Sequence, residues 1–577
     1  MKKIILTICF LASIVVSAQT NTFNDSLLDG VAATTGAGDD TWETATNWSL
    51  GIIPTAAHDV VIPDGMLAKI KVAGALANSI TASGTGKLQI NAEKSLNVTN
   101  NVTSGSNSNI LFVTATGKSM GTLIFGGTFS GGNITAKMRL PSNDDWHLIS
   151  SPLKQATINN YVTNATTIVT NGSSKYSLAS YNDANAAGLK YTYFPNPLPN
   201  TTDKLEKGQG YSTKLNNTGD ITKPDVQFKG KLVDADFTIA ITDGGNGFNL
   251  MGNPFTTYLF ANTAAHATNN VLALNSGILD EATLWFWDNT AGGGTGDWIT
   301  KNLGDFATYH ISPVQGFFVK AKTGGGAFKF QETMQTHAKT DGFYKTSKDR
   351  FEIDLLIATD DVRRSTSIRY TDNSTTSFDS GYDSSLFGGY SSEFALYTQL
   401  VKDNTGKKLA IQSLPNANLE NMIISVGVNA KAGSEITFRA DVLNVPAGYN
   451  VYLEDRTNKT LIRLDETDAT YKTTVSEAVT NGRFYIHTRT SSVLGLDATL
   501  LNSVSIYKTS NSNLKITGLT QGESTVSLYN LLGKRVMTTS FEAANTNNVS
   551  LPSLSTGVYI VKLQSDKGTL NKKIILE

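Results

Sequence analysis

Gly117-Lys118-Ser119-Met120-Gly121 fits the G-x-S-x-G pattern that presents a serine for acyl transfer. That chemistry needs a strand before the serine and a helix after it. The residues that follow are TLIFGGTFSGG, a β-type, glycine-rich run, so Ser119 is not read as a nucleophile. Gly117-Lys118-Ser119 also lacks the upstream glycine of a phosphate loop. The six histidines are His58, His147, His266, His310, His337 and His487. None forms a close pair or an H-E-x-x-H, and no zinc site is predicted. His147 and His487 fall in strand patterns and read as structural residues. Asp379 and Asp383 in FDSGYDSS, and Asp360 beside Asp361, offer oxygens that calcium would accept. They lack EF-hand spacing and read as surface loops, so no cofactor is expected, and calcium is the one candidate. A glycosidase needs two carboxylates flanking a cleft, and no such pair is marked. Trp285 and Trp287 are two apart in a strand, so both rings face one way, with Trp298 near. Exposed, they would stack on sugar rings. Buried, they would be core, which Tyr181 at the matching place of an earlier repeat favours.

The surroundings of these residues are β. Short runs of Val, Ile, Thr, Phe and Tyr alternate with Gly, Asn and Asp turns, and no long stretch carries a 3.6-residue apolar period. The class is an all-β, multidomain chain of β-sandwich and β-solenoid-like domains, with about three to five expected for this length. Residues 19–140 carry closely spaced short strands such as SITAS, KLQINA and ILFVTA, which suit the coils of a solenoid or a sandwich. Residues 141–340 contain a duplication. DWHLISSPL returns as GFNLMGNPF, SLASYND as TLWFWDN, GQGYSTK as VQGFFVK and VQFKG as FKFQE, in the same order and at nearly constant spacing. Two units, about 141–232 and 243–335, are predicted, each covering an apolar face of the other. Residues 346–490 read as a sandwich and 491–502 as a linker.

Charge excludes one class of partner. Formal net charge is −1 and 17% of residues are charged, against about 25% in typical globular proteins. No basic patch suits nucleic acid. The N-terminus predicts export. Lys2 and Lys3 precede an apolar run to Val16, and small residues lead to Ala18 and Gln19. This is a secretory signal peptide over 1–18, read by the inner-membrane secretory translocase and cut between Ala18 and Gln19. The run is too short to span a bilayer, which takes about 20 residues. The single cysteine, Cys9, lies inside it, so the mature chain has no thiol chemistry.

Residues 503–577 read as a small Ig-like sandwich, with Gly533 supplying a tight turn in VSLYNLLGKRV. In Gly557-Val558-Tyr559-Ile560-Val561, Tyr559 and Val561 share a face. In the closing Lys572-Lys573-Ile574-Ile575-Leu576, so do Ile574 and Leu576. VSLYNLLGKRV, VSLPSLSTGVYIVKL and KKIILE together resemble the type A C-terminal sorting domain of Bacteroidota type IX secretion substrates. One departure is that Tyr507 is followed by Lys508-Thr509-Ser510 rather than Pro-Asn-Pro. The resemblance implies recognition by the outer-membrane type IX translocon and its shuttle protein. It also implies removal of the domain and either anchoring to surface lipopolysaccharide or release. The W…NWS.G..P…DVVIP stretch resembles the opening of β-solenoid regions in bacterial surface proteins. The duplicated region, with W.LISSP, GQGY, NL.GNPF, P.QGFFVKA, FDSGYD and RFYIH, resembles stretches of large Bacteroidota surface proteins and implies no activity. The expected function is that of a non-enzymatic surface or secreted protein in adhesion or gliding motility. The alternative is a glycan-binding module or polysaccharide-degrading enzyme, with extracellular glycans as partner.

Overall fold

The computed structural model describes residues 18–24, 40–105, 110–112, 119–140, 145–164, 168–171, 174–215, 225–339, 350–388, 393–477, 479–490, 504–510, 512–519, 522–544, 546–565 and 568–576. Most of the expected signal peptide and all of the linker at 491–502 lie outside them. The chain divides into two compact units: 1–418 with 423–444 and 453–486, and 487–577 with 419–422 and 445–452. The helices Ile158–Asn164 and Val271–Asn275 are short. Among the described residues no helix is long and apolar enough to cross a membrane.

The first unit opens as a parallel solenoid. His58–Ile62, Ser79–Ala82, Val102–Ser104 and Phe129–Gly131 stack in parallel register on one wall. Leu67–Ile70, Lys87–Ile90, Ile110–Phe112 and Ile134–Arg139 stack on a second, and Ala75–Ala77, Ser95–Val98 and Thr122–Phe125 on a third. Each strand alternates, sending Ile62, Ile90 and Val98 into the core while its polar partners face out. At one corner Asn100 donates to Asn78 (2.9 Å), which donates to Asp59 (2.8 Å), so successive coils satisfy each other's side chains. Trp42, Trp48 and Phe23 pack edge to face beside the first coil, with centroids 4.8 and 5.1 Å apart. Gln19–Thr22 extends the first wall beyond His58–Ile62, and these rings pack at that end of the core.

The duplication appears as identical strand order and register. In the first copy Trp146–Ser150 pairs with Gly210–Lys214, which pairs with Lys175–Tyr181, which pairs with Tyr191–Pro195. In the second, Phe248–Gly252, Gly316–Lys320, Thr283–Asp288 and Asp297–Asn302 follow the same path. Leu148 faces Ser212 as Leu250 faces Phe318, and Ile149 faces Tyr211 as Met251 faces Phe317. Each copy also includes one strand before the boundary drawn from sequence. Ile134–Arg139 pairs with Asp225–Gly230, and Phe237–Ile241 with Gly326–Phe330. The first of these is also the last strand of a solenoid wall, so the two modules share it.

The copies meet about a pseudo-two-fold axis, and the proof is reciprocity. Ser150 N donates to Val314 O (2.8 Å), and its equivalent Gly252 N donates to Gly208 O (3.0 Å). Ile149 bridges to Gln315, and Gln209 to Met251. This explains the repeated Gln-Gly. A Cβ on Gly210 would sit 2.4 Å from Met251 O, and one on Gly316 would sit 2.9 Å from the Leu148 carbonyl carbon. Only glycine lets the two backbones approach so closely.

Within 346–490, the region read as a sandwich, the strands are hydrogen-bonded along one path through Ile423–Asn429, Ala395–Thr398, Leu409–Leu414, Arg363–Tyr370, Glu352–Ala358, Glu435–Leu443 and Tyr471–Thr474. Arg363–Tyr370 pairs in parallel with Leu409–Leu414, while its other neighbour, Glu352–Ala358, is antiparallel.

Candidate recognition sites and the sorting domain

In the first unit the candidate chemical residues are tied into structure. The Ser119 hydroxyl donates to Glu93 (3.2 Å), whose carboxylate also takes Lys339 (2.9 Å). A Cβ on Gly121 would lie 2.4 Å from Ile90 O, so the last glycine of G-x-S-x-G serves close packing of coils. Gly117 and Lys118 lie outside the described residues. The histidines are dispersed. His58 Nδ1 accepts Thr55 N (3.0 Å), His266 Nδ1 accepts Asn269 N (3.0 Å), and His147 meets Asn289 (3.2 Å). His310 is buried beside Phe260, which lowers its pKa, and His487 is buried in the second unit. Among the described residues no group of three or more His, Cys, Asp or Glu could hold a metal ion.

The acidic residues of FDSGYDSS are not the surface loop expected. Asp383 is fully buried and accepts Ser413 N (2.6 Å) and Asp379 N (2.7 Å). Asp379 in turn accepts Thr375 N (2.5 Å). Each Asp383 oxygen thus accepts one backbone amide, which builds the carboxyl into the fold. Burial pushes the Asp383 carboxyl up to about 7 despite its two amide bonds, with Asp379 and Glu281 adding to the rise. Asp360 and Asp361 lie in an exposed turn closed by Thr359 N to Val362 O (2.9 Å).

Trp285 cannot stack on a sugar. It is fully buried, its indole N–H donates to Ser385 O (3.0 Å), and Phe248, Phe318 and Phe387 surround it. Trp287 is half-buried edge-on to Trp298 (5.3 Å), and a Cβ on Gly296 would fall 2.3 Å from its ring. The shared face inferred from spacing is right, but it turns toward the pseudo-dyad and Phe387 closes it. The outward aromatic pair lies in the first copy. Trp146 is 37% exposed, with its ring 5.8 Å from that of Tyr193. Sequence spacing gives no hint of that pair, since the two residues sit on strands separated by two others.

Two polar centres also escaped sequence reading. Asp183 accepts Tyr181 OH (2.6 Å), Asn246 N (2.5 Å), Phe248 N (3.1 Å) and the Lys190 ammonium, and so clamps one copy to the other. Glu352 takes Arg350 (3.1 Å) and Arg369 (3.5 Å), and Asp305 takes Arg350 (3.7 Å) and Arg369 (3.5 Å). Burial pushes the Asp305 carboxyl up, but Arg369, Lys301 and Arg350 outweigh it and hold the group below its ordinary range.

The second unit ends in a two-sheet sandwich. One sheet orders Ser505–Ser510, Asn513–Thr517 and Thr546–Ser550. The other orders Arg535–Glu542, Glu523–Asn530, Gly557–Ser565 and Gly568–Leu576. Leu514 and Ile516 from the first meet Val526, Leu528, Val561 and Leu563 from the second. The residues singled out from sequence have separate physical roles. Gly533 takes φ 78° at the hairpin tip, a conformation that costs other residues about 1 kcal/mol or more. Tyr559 is buried, and its hydroxyl donates to Ser555 O (2.9 Å), fixing the corner that leads into the strand. Ile574 and Leu576 are buried while Lys572, Lys573 and Ile575 face out. The departure at Lys508-Thr509-Ser510 coincides with a register shift against the neighbouring strand.

Comparison with protein-family models places this sandwich. Residues 508–577 match the secretion system C-terminal sorting domain. The protein is therefore a type IX secretion substrate, exported and either held at the cell surface or secreted, and it engages the type IX machinery. The body of the chain matches a second model, over residues 33–487. The chain belongs to the family described as a domain of unknown function (DUF8693). That match takes in the solenoid, both copies and the continuous sheet. No curated protein matches. Among solved structures the chain has a weak likeness to one titled "Biofilm associated protein - BSP domain". The identity is 9% over 76% of this chain and 91% of that one, with a TM-score of 0.11, too low to bear on function.

Proposed function

We propose that this is a non-enzymatic adhesive protein of the cell exterior, serving attachment or gliding. Its N-terminal signal is cut after Ala18, and its tail addresses it to the outer-membrane translocon and shuttle protein before anchoring to lipopolysaccharide or release. Cleavage there leaves Gln19 at the head of Gln19–Thr22, the outermost strand of its solenoid wall. The observation that supports the reading most is the pairing of a sorting domain with a body in which three buried carboxylates accept structural hydrogen bonds. Asp183, Asp383 and Glu281 each accept hydrogen bonds from neighbouring backbone amides within the fold. The exposed Trp146, with half-buried Tyr193 beside it, favours an extracellular glycan as ligand, since exposed aromatic rings stack on the apolar faces of sugars.

The secreted protein, applied to a glycan array alongside a hydrolysis screen, is expected to bind saturably without releasing reducing ends. Trp146→Ala is expected to lower binding about two- to tenfold, the value of one stacked ring. Release of sugar ends would replace this reading with a polysaccharide-degrading enzyme.

A further inference from the structure

Three pieces of the tail that are distant in sequence converge at one end of its four-stranded sheet. Asn530 is opposite Tyr559, Tyr559 is opposite Ile574, and Gly557 is opposite Leu576. The hairpin tip at 531–534, the start of the Gly557 strand and the last residues of the terminal strand therefore lie together. This end is apolar and exposed. Leu531 is 72% exposed, Leu532 92% and Ile575 50%. On the sheet face away from the core, Val558 is opposite Ile575 and Ile560 opposite Lys573, and none of these four is buried.

The tip is built, not loose. Asn530 Oδ1 accepts Leu532 N (3.1 Å) and Lys534 N (3.0 Å), and Gly533 N donates to Asn530 O (3.0 Å). Two leucines held out on a hydrogen-bonded turn do nothing for the fold, and exposed apolar surface of this kind marks contact sites. Charge separates along the same sheet. Lys534, Arg535 and Lys573 are exposed at this end, while Glu523 and Glu542 face each other at the opposite end.

We infer that this end of the sheet is a single composite docking surface for a protein of the export machinery, one that offers an apolar cleft with an acidic rim. The leucines would enter the cleft and the three cations would meet the rim. The inference rests on the sorting role of the tail and adds where on the tail the partner sits. It also accounts for why the motif pieces lie so far apart in sequence, since each supplies one part of one surface.

The test uses the full chain in a host with a working type IX system. Leu531→Ser with Leu532→Ser is compared with Lys534→Glu with Arg535→Glu, and with deletion of 504–577. Both double variants are expected to cut the extracellular fraction at least about tenfold, as loss of one buried leucine alone would do. Both should accumulate in the periplasm and, once purified, unfold at the wild-type temperature. If the deletion blocks export and the leucine variant leaves normally, the tail sorts but this surface is not its contact, and the inference falls. If the deletion itself leaves normally, the sorting role falls with it. If both variants cross normally but the charge variant loses binding to lipopolysaccharide vesicles, the surface serves an anionic lipid, and the inference is overturned.

Discussion

Arg369→Met destabilises the first unit by about 3–5 kcal/mol, the range for removing one partner of a buried ion pair. Arg369 lies on Arg363–Tyr370 directly opposite Glu352, and it also faces Asp305 beyond the Asp297–Asn302 strand. All three are buried. Without the guanidinium, Asp305 and Glu352 keep Arg350 and the more distant Lys301 but face each other with excess negative charge. The loss reflects an uncompensated charge, so a balanced deletion is milder. Arg369→Met with Glu352→Gln is expected to recover more than half of the single-variant loss. Hydrogen exchange on the Glu352–Ala358 strand reads the effect locally, where a global transition of so large a chain would blur it. Wild-type protection in the single variant would mean that water already reaches the network.

Asp383 and His337 tilt the pH dependence of stability in opposite directions. The Asp383 carboxyl rises from the ordinary 3.8 to about 7 in the fold. The folded state therefore holds a proton that the unfolded chain releases, and stability is lost as pH climbs from about 4 to 7. Burial pushes the His337 imidazole down from 6.5 to about 4. Thr122 Oγ1 lies 2.8 Å from its Nδ1 and Asn97 Oδ1 3.2 Å from its Nε2, an arrangement that suits the neutral ring. Here the unfolded chain holds the extra proton, and stability is lost as pH falls from 6.5 to 4. Each group contributes up to about 1.4 kcal/mol per pH unit, so within the shared window they oppose each other. Relative to wild type, Asp383→Asn makes stability rise more steeply with pH between about 4 and 6.5, by roughly 3 kcal/mol across the window. His337→Gln makes it fall more steeply by roughly 2 kcal/mol. Denaturation series at pH 4, 5 and 6.5 give the slopes. Two variants tilting the same way would contradict the assignment of either proton.

Local pattern made much of this fold legible. The duplication could be read because two copies with one register need apolar residues at matching places, as Leu148 and Leu250 show. The tail could be read because Gly533 and Tyr559 are fixed by turn and corner geometry that few other residues satisfy. What escaped depends on long-range pairing. Arg369 and Asp305 are unremarkable until folding places them together. Asp383 looks like a loop residue because one of the two amides it accepts belongs to the distant Ser413, and only folding brings that strand to it. The sequence pattern suits a solenoid and a sandwich equally because the coils differ in length, which blurs the period that the register Asp59↔Ser79 and Ile80↔Val102 makes plain. Trp285 and Trp287 share a face as their spacing demands, but spacing does not say which side of a sheet meets solvent.

The central claim is that residues 503–577 are a self-sufficient export address. It is tested most directly by transplantation. The tail is fused behind a signal peptide and an unrelated folded passenger, in a host with a working type IX system. The account predicts that the passenger reaches the cell surface or the medium, and that a matched fusion lacking Lys572–Glu577 stays in the periplasm. That truncation strips most of the terminal strand from its neighbour, leaving backbone donors and acceptors unpaired and removing the free edge of the sheet. A passenger that stays in the periplasm with the whole tail attached would contradict the claim.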